Sequence, residues 1–287
     1  MKKLDGFSAI ILISLIVCTV WVWFEIFIGR SGDAPQFYFL DVGQGDAELA
    51  IFPGGVKVLT DAGPDKKILS SISNVLGGDR YIDIGIISHP QLDHFNGFNY
   101  LLDNYRFGAF IFNGRMDSPA AGEWHAFLDK IKSQNIPLIA LGAGDKIEYI
   151  NGEIGFLSPN KDFVQSAELN DTAMIEFIRT NEFRALFTSD AGSNIEDYLI
   201  KNGANLAADI LKIGHHGSKY SSSEGFLQAV NPKVAVIEVG ATNTYGHPTA
   251  DVLSRIASVA AKIFRTDQNG TIEIVGDNQK LKVYTEK

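Results

Sequence analysis

The sequence predicts an α/β fold. Two sheets pack face to face with helices outside, a four-layer αββα sandwich, and one transmembrane helix precedes it. Three observations carry that expectation. An almost unbroken apolar run opens the chain. The early strands come as hairpins, whereas the later ones alternate with helices. The second half then repeats the order of the first. A length of 287 residues suits one large domain or two small ones, and 45% hydrophobic with 21% charged residues is ordinary for a folded chain.

Residues 7–28 read FSAIILISLIVCTVWVWFEIFI, with Glu25 as the only charge. Roughly twenty such residues cross a bilayer core. Trp21, Trp23 and Phe24 fit an interfacial aromatic belt, and Lys2 and Lys3 favour a cytoplasmic N-terminus over residues 1–6. The expectation is a single-pass membrane protein with its folded domain outside the cytoplasm. A cleaved signal peptide is the rival reading, but its apolar region would be shorter and a small-x-small site would follow it. A buried helix of the folded domain is the plainer alternative. Cys18 follows the bulky Leu15, Ile16 and Val17, a poor context for lipidation. It is the only cysteine, so an internal disulfide and a cysteine-rich zinc site are both excluded. Any metal is left to His, Asp, Glu or Asn. A net charge of −9 argues against a broad basic surface for nucleic acid. It leaves a phosphate substrate open, because bound divalent cations reverse the local field.

A Gly- and Pro-containing linker over residues 29–35 leads into a domain spanning 36–287. Phe37, Phe39 and Leu40 start a strand that ends at Asp41, and Gly43, Gly45 and Asp46 turn the chain. Residues 49–52 and 56–59 form a hairpin around Pro53-Gly54-Gly55, closed by Asp61-Ala62-Gly63. A helix over 66–76 precedes the strand marked by Ile82, Ile84, Ile86 and Ile87. Then follow a helix over 95–105, a strand over 109–112, an amphipathic helix over 120–134 and strands at 138–141, 146–149 and 153–157. The second half brings strands at 172–178 and 184–188, a helix at 195–201, and a strand at 210–213. A helix to residue 230, a strand at 234–238, a helix at 250–260, a strand at 262–264 and a hairpin over 271–284 complete it.

The chemistry gathers at strand ends. Residues 87–97 read ISHPQLDHFNG and set His89, Asp93 and His94 within six residues of one another, straight after an apolar strand. Asp61, Asp190 and the pair His215-His216 each follow an apolar run beside a glycine or another turn residue. Strand ends in a layered fold converge on one edge, where loops build the site, so the four groups read together as one metal centre. Alone, Asp61 or Asp190 would be a turn or cap residue and His215 a core histidine.

With these residues in view, the chain resembles the metallo-β-lactamase superfamily and, within it, the C-terminal hydrolase domain of ComEC DNA-uptake channels. The matching stretches are FLDVGQGDAELAIF from Phe39, TDAG from Thr60, SHPQLDHFNG from Ser88, FTSDAG from Phe187, LKIGHHGSKYSSS from Leu211, YGHP from Tyr245 and TDQNG from Thr266. The resemblance implies the αββα sandwich, one or two divalent metal ions, Zn or Mn, and hydrolysis by metal-activated water. It implies His89, Asp93, His94, Asp190 and a later histidine as ligands, with Asp93 also orienting the nucleophile. His215 is preferred for that last place because it lies nearer the strand end, which leaves His216 to face substrate. Gln91 stands where the signature H-x-H-x-D-H has its second histidine, and Leu169-Asn170-Asp171-Thr172 stands where many members carry a third. One metal position is therefore depleted, with Gln91 or Asn170 as weak substitutes. Asp46 and Asp61 would support the ligands from behind.

The stretch from Gly217 to Ser223 offers hydroxyls and backbone N–H groups opening a helix, an anion site to which Ser218 and Lys219 would contribute. The plain alternative is a helix cap with a solvated lysine. His247 could protonate a leaving group, or be a turn residue before Pro248. The expected function is an extracytoplasmic, membrane-anchored phosphodiesterase or nuclease acting on DNA or a small phosphodiester, beside a separate ComEC-like channel protein. Alternatives are a hydrolase of small esters or lactones and a metal-free binding module of the same fold.

Overall fold

The computed structural model describes residues 6–27, 34–277 and 280–287. The chain divides into two compact units, Met1–Asp33 and Ala34–Lys287. In the first, the apolar run forms the helix Gly6–Phe27. Its described large apolar side chains are exposed, among them Ile13, Leu15, Val17, Val20 and Trp21. Among the described residues no helix is long and apolar enough to cross a membrane, so the transmembrane span expected over 7–28 is not supported. Residues 1–5 of the stretch expected to be cytoplasmic, the side chains of Phe24 and Glu25 and the linker residues 29–33 lie outside the described residues.

Among its described residues the second unit contains fifteen strands: β1 (Gln36–Phe39), β2 (Glu48–Phe52), β3 (Val56–Thr60), β4 (Tyr81–Ile87), β5 (Arg106–Phe112), β6 (Leu138–Ala140), β7 (Lys146–Tyr149), β8 (Gly152–Ser158), β9 (Ile175–Arg179), β10 (Arg184–Phe187), β11 (Ile210–Lys212), β12 (Val234–Ile237), β13 (Lys262–Arg265), β14 (Ile272–Asp277) and β15 (Lys280–Thr285). One sheet has eight strands in the order β15-β14-β1-β2-β3-β4-β5-β6, and the other has seven in the order β13-β12-β11-β10-β9-β8-β7. The early hairpins pair antiparallel. From β3 to β6 and from β10 to β13 the pairing is parallel, as helical crossovers require.

Three apolar cores make four layers. Leu49, Leu59 and Ile82 pack outward against Ile68, Ile72, Trp124 and Phe127 of the helices over the first sheet. Phe37, Phe39, Val58, Ile86, Phe156, Phe187 and Val236 fill the space between the sheets. Leu186, Leu211 and Ala235 pack against Ile195, Leu199, Phe226, Val252 and Ile256 of the helices over the second. β4 alternates between the first two cores, Ile82 and Ile87 outward and Ile86 inward, so a strand covered on both faces reads as nearly continuous isoleucine.

The helix expected over 95–105 is instead two short turns, Leu92–Phe95 and Gly97–Leu101. They start three residues earlier, which places Asp93 and His94 on a helical turn rather than in an extended loop. Close backbone contact fixes that turn. Ala62 N donates to His94 O (2.7 Å) and Gly97 N to Gly63 O (2.8 Å). A side chain at Gly97 would collide with the Ala62 carbonyl.

Candidate metal centre

The loops after β3, β4, β10 and β11 meet at one edge of the sandwich. Asp61, Ser189, His215 and His216 all adopt left-handed φ values, between 46° and 55°, which turn the loops after β3, β10 and β11 sharply at the strand end. The loop after β1 joins them: Asp46 N donates to Asp93 O and Gly63 N to Asp46 O (3.3 and 2.9 Å).

Asp93, His94, Asp190 and His216 each present one ligand-type atom, and these atoms lie within 4.8 Å of one another. His94 Nε2 is 3.4 Å from Asp190 Oδ2 and 3.9 Å from Asp93 Oδ1. His216 Nε2 is 3.5 Å from Asp93 Oδ2 and 3.7 Å from Asp190 Oδ1. Three of the four residues are buried, and the Asp93 side chain, 28% exposed, opens the group to solvent.

Both imidazoles are held from behind. His94 Nδ1 lies 2.7 Å from Asp61 Oδ2, and His216 Nδ1 lies 2.9 Å from the Glu238 carbonyl, with Asp46 Oδ1 at 3.3 Å. An ionised carboxylate and a carbonyl only accept, so both Nδ1 atoms donate and both Nε2 atoms face the centre. Asp61 in turn accepts from Ser88 N and Ser88 Oγ (2.9 and 2.6 Å). His94 Nε2, His216 Nε2 and Asp190 Oδ1 are buried without a hydrogen-bond partner. Unpaired buried polar atoms are costly, and three converging on one point fit a divalent cation. Two imidazoles and two carboxylates suit Zn or Mn.

The electrostatics agree. Burial raises the Asp190 carboxyl, but His216 and His94 outweigh it and hold it well below the usual carboxylate range. Burial lowers His216, but Asp190 and Asp46 pull it up to about 10, and Asp190 and Asp61 likewise raise His94 well above an ordinary histidine. Carboxylates that draw protons onto these nitrogens draw a metal cation there by the same attraction.

The other expected residues lie close by but pair differently. His89 is buried, and Gln91 Oε1 sits 2.8 Å from its Nε2. Burial and then His94 push its pKa down to about 4. His215 lies at the rim, its Nε2 3.7 Å from Asp190 Oδ2 and its Nδ1 3.3 Å from Asn170 Nδ2. The positions expected to hold a weak second metal therefore pair Gln91 with His89 and Asn170 with His215. Of the two later histidines, His216 rather than the expected His215 brings a ring nitrogen within 4.8 Å of the Asp93, His94 and Asp190 atoms. Two consecutive left-handed residues reverse the chain after β11, so the histidine farther from the strand points back into the centre.

The anion cradle expected from Gly217 to Ser223 is filled from within. Ser222 N and Ser223 N donate to the two oxygens of the buried Glu196 carboxylate. Ser218 is buried and its Oγ accepts from Tyr220 N (3.3 Å), while Lys219 is exposed with its ammonium 5.0 Å from the Tyr220 ring centroid. His247 Nδ1 is buried without a partner, and its ring lies 5.7 Å from that of His215.

Sequence reasoning missed Lys212. It is fully buried, with Nζ bonded to Asp46 Oδ2 and 3.0 Å from Ser189 O. Behind it Glu48 and Glu238 are also buried, and Glu238 Oε1 accepts from Ala47 N (3.1 Å). A lysine in a strand reads as a solvated edge residue. The only available signal is its place two residues before the glycine-histidine turn.

No protein-family model matches the chain. It is 27% identical to ComE operon protein 3 of Bacillus subtilis over 277 residues, covering 90% of this chain and 35% of that protein. Over 105 residues it is 41% identical to the competence protein ComA of Neisseria gonorrhoeae, covering 34% of this chain and 15% of that one. The chain thus spans about a third or less of the length of these relatives. Among solved structures it is similar to a metal-dependent hydrolase of the β-lactamase superfamily, with a TM-score of 0.53 and 15% identity, covering 85% of this chain and all of that one. It is also similar to the diiron β-hydroxylase CmlA of Streptomyces venezuelae, with a TM-score of 0.53 and 13% identity, covering 82% of this chain and 53% of that one. At such identities the structural likeness speaks for the fold and leaves the reaction open. Fold and sequence relatives agree: this chain has the metallo-β-lactamase fold and is similar in sequence to these competence-related proteins.

Proposed function

We propose that this chain is a metal-dependent hydrolase of phosphodiester bonds acting on DNA, with one divalent cation, Zn or Mn, held by Asp93, His94, Asp190 and His216. One observation carries the reading: three buried ligand-type atoms without hydrogen-bond partners converge beside the solvent-facing Asp93. When bound, the cation would polarise a phosphoryl oxygen and make water acidic enough to attack near neutral pH. Asp93, the member of the group open to solvent, orients the attacking water. His247, one ring beyond His215, hands a proton to the departing oxygen. Lys219, exposed on the loop after His216, offers charge to a neighbouring phosphate.

The choice of DNA is supported by the relatives, one of which is named a competence protein. Attachment to a membrane through the helix Gly6–Phe27 and action beside a separate channel protein belong to the same proposal. Membrane attachment is supported by the exposed apolar side chains of that helix, which need a cover. Flotation of the chain with lipid vesicles tests it. The Gln91–His89 pairing favours a second reading, a metal-free binding module, and the unpaired atoms of the centre oppose it.

The test is cleavage of single-stranded DNA by the full chain with added Mn or Zn, beside Asp190→Asn. Metal-dependent cleavage that the variant loses supports the proposal. A metal-loaded chain that cleaves neither DNA nor small phosphodiesters refutes it.

A further inference from the structure

We propose that the cavity beside Asp93 is a nucleobase subsite, in which the exposed ring of Tyr245 stacks on the base next to the scissile phosphodiester. The inference rests on the phosphodiester reading above and adds to it how the substrate is gripped.

The cavity holds about 470 Å³ and is lined by Tyr245, Leu92, Gln91, Asn243, Gln44 and Asp93, together with neighbouring threonines and a proline. Asp93 connects it directly to the metal centre, since its two oxygens face His94 Nε2 and His216 Nε2. Asp93 is also the only charged residue of the lining. With no lysine, arginine or histidine in its walls, the cavity is unsuited to a phosphate. A ring, an aliphatic side chain and neutral carboxamides suit a flat, uncharged heterocycle instead.

Tyr245 is 69% exposed, which leaves a face of its ring open to a ligand. It is nevertheless held in position. Its ring stacks on His247 at 5.9 Å and 26°, His247 stands edge-on to His215, and His215 edge-on to His216. A ladder of rings thus runs from the metal centre to the surface and ends in an aromatic face. The loop presenting it is tied across its base, because Asn243 Nδ2 donates to Gly240 O and His247 O, both at 2.9 Å, and Asn243 Oδ1 accepts from His247 N. A pre-set aromatic face costs little conformational entropy when a base lands on it.

Gln44 supplies an independent observation. Its Oε1 accepts from Gly240 N (3.1 Å), which fixes the side chain, while its Nε2 is buried without a partner. A donor held in this way beside the cavity matches the ring nitrogens and carbonyl oxygens of a nucleobase.

The test uses the full chain with Mn and a single-stranded oligonucleotide carrying 2-aminopurine, whose fluorescence is quenched on stacking, read by rapid mixing before turnover. Quenching is expected with the wild type and with Tyr245→Phe. Tyr245→Ala should abolish it and weaken binding roughly ten- to a hundredfold, the usual worth of one base–aromatic stack. Tyr245 is exposed, so the variant keeps its fold, which circular dichroism checks. Wild type that fails to bind or to quench, or Tyr245→Ala that does both as well as wild type, overturns the subsite. Failure of the hydrolase reading looks different: the chain binds and quenches but leaves the strand intact. Cleavage with an unchanged KM in Tyr245→Ala removes the subsite and keeps the hydrolase.

Discussion

Asp46 sits between two buried groups of similar make-up. On one side are Asp93, His94, Asp190 and His216, and on the other Glu48, Glu238 and Lys212. Asp46, Glu48 and Glu238 also bring their oxygens within 4.8 Å of one another, so by proximity alone either group could hold a cation. What fills the middle separates them. In the second group the Lys212 ammonium already rests on Asp46. Burial, aided by neighbouring carboxylates, pushes Glu238 up to about 8 and Glu48 well above its ordinary value, so both stay protonated near neutrality. That group is neutral from within and sealed. The first group has no ammonium; its imidazole nitrogens are aimed inward without hydrogen-bond partners, and Asp93 connects it to solvent. Both groups leave buried oxygens or nitrogens without a hydrogen-bond partner, so acidity and unpaired atoms do not make a metal centre here: inward imidazole nitrogens, the absence of a resident ammonium and a route in through Asp93 do.

The largest effect should come from the carboxylate both imidazoles face. Asp190→Asn removes its charge and is expected to cut metal-dependent hydrolysis roughly a hundred- to several-thousandfold, the kinetic equivalent of the 3–5 kcal/mol lost when one partner of a buried charge pair is removed. Cleavage rates and metal content by atomic absorption read it, and activity within tenfold of wild type would dissolve the distinction between the two groups.

Lys212→Met attacks the second group from inside. It strands the Asp46 charge, so unfolding in urea should show about 3–5 kcal/mol less stability, and Asp46→Asn added to it should recover much of that loss. A loss under about 1 kcal/mol would mean that Lys212 is not what neutralises the group.

Glu176 shows what happens to a buried acid with neither lysine nor imidazole in contact. It bridges the two sheets through the Thr60 hydroxyl (2.9 Å), and burial pushes its pKa to about 8 although that bond pulls the other way. The folded chain keeps a proton that the unfolded chain releases. The stability from this group is thus fully present below the unfolded value of about 4.5 and is lost as pH rises towards 8. Glu176→Gln should flatten that slope and, by a few kcal/mol at most, gain on wild type in thermal melts at pH 8 but not at pH 4.5. Parallel melting curves would contradict the assignment.

Gln91→His is expected to have the smallest effect. It replaces the oxygen now facing His89 Nε2 with an imidazole, and should add a second, weaker cation while leaving the first in place. Unchanged stoichiometry in metal titrations would show that Gln91 is not what closes that position.

Much of this was legible in the sequence, for physical reasons. Apolar period and turn residues locate the strands, and the two covered faces of β4 explain its run of isoleucines. The clustering of Asp61, His89, Asp93, His94, Asp190 and the His215-His216 pair at strand ends follows from how layered sheets place their loops. What was not legible depends on direction and on distant partners. Spacing along the chain cannot show that left-handed turns at His215 and His216 swing the second histidine inward. Nor can it show that Glu196, from a helix before β11, reaches the amides of Ser222 and Ser223 and closes the apparent anion cradle. Lys212 escaped because buried lysine contradicts the usual reading of charge, and only its pairing with Asp46, 166 positions away, makes it tolerable.

The most direct measurement is calorimetric titration of the full chain with Zn and with Mn, with His216→Ala and His215→Ala beside it. One equivalent should bind to wild type, His216→Ala should lose that binding, and His215→Ala should retain it within a few fold. Binding lost in His215→Ala but kept in His216→Ala, or no cation bound by wild type, would contradict a centre built from Asp93, His94, Asp190 and His216.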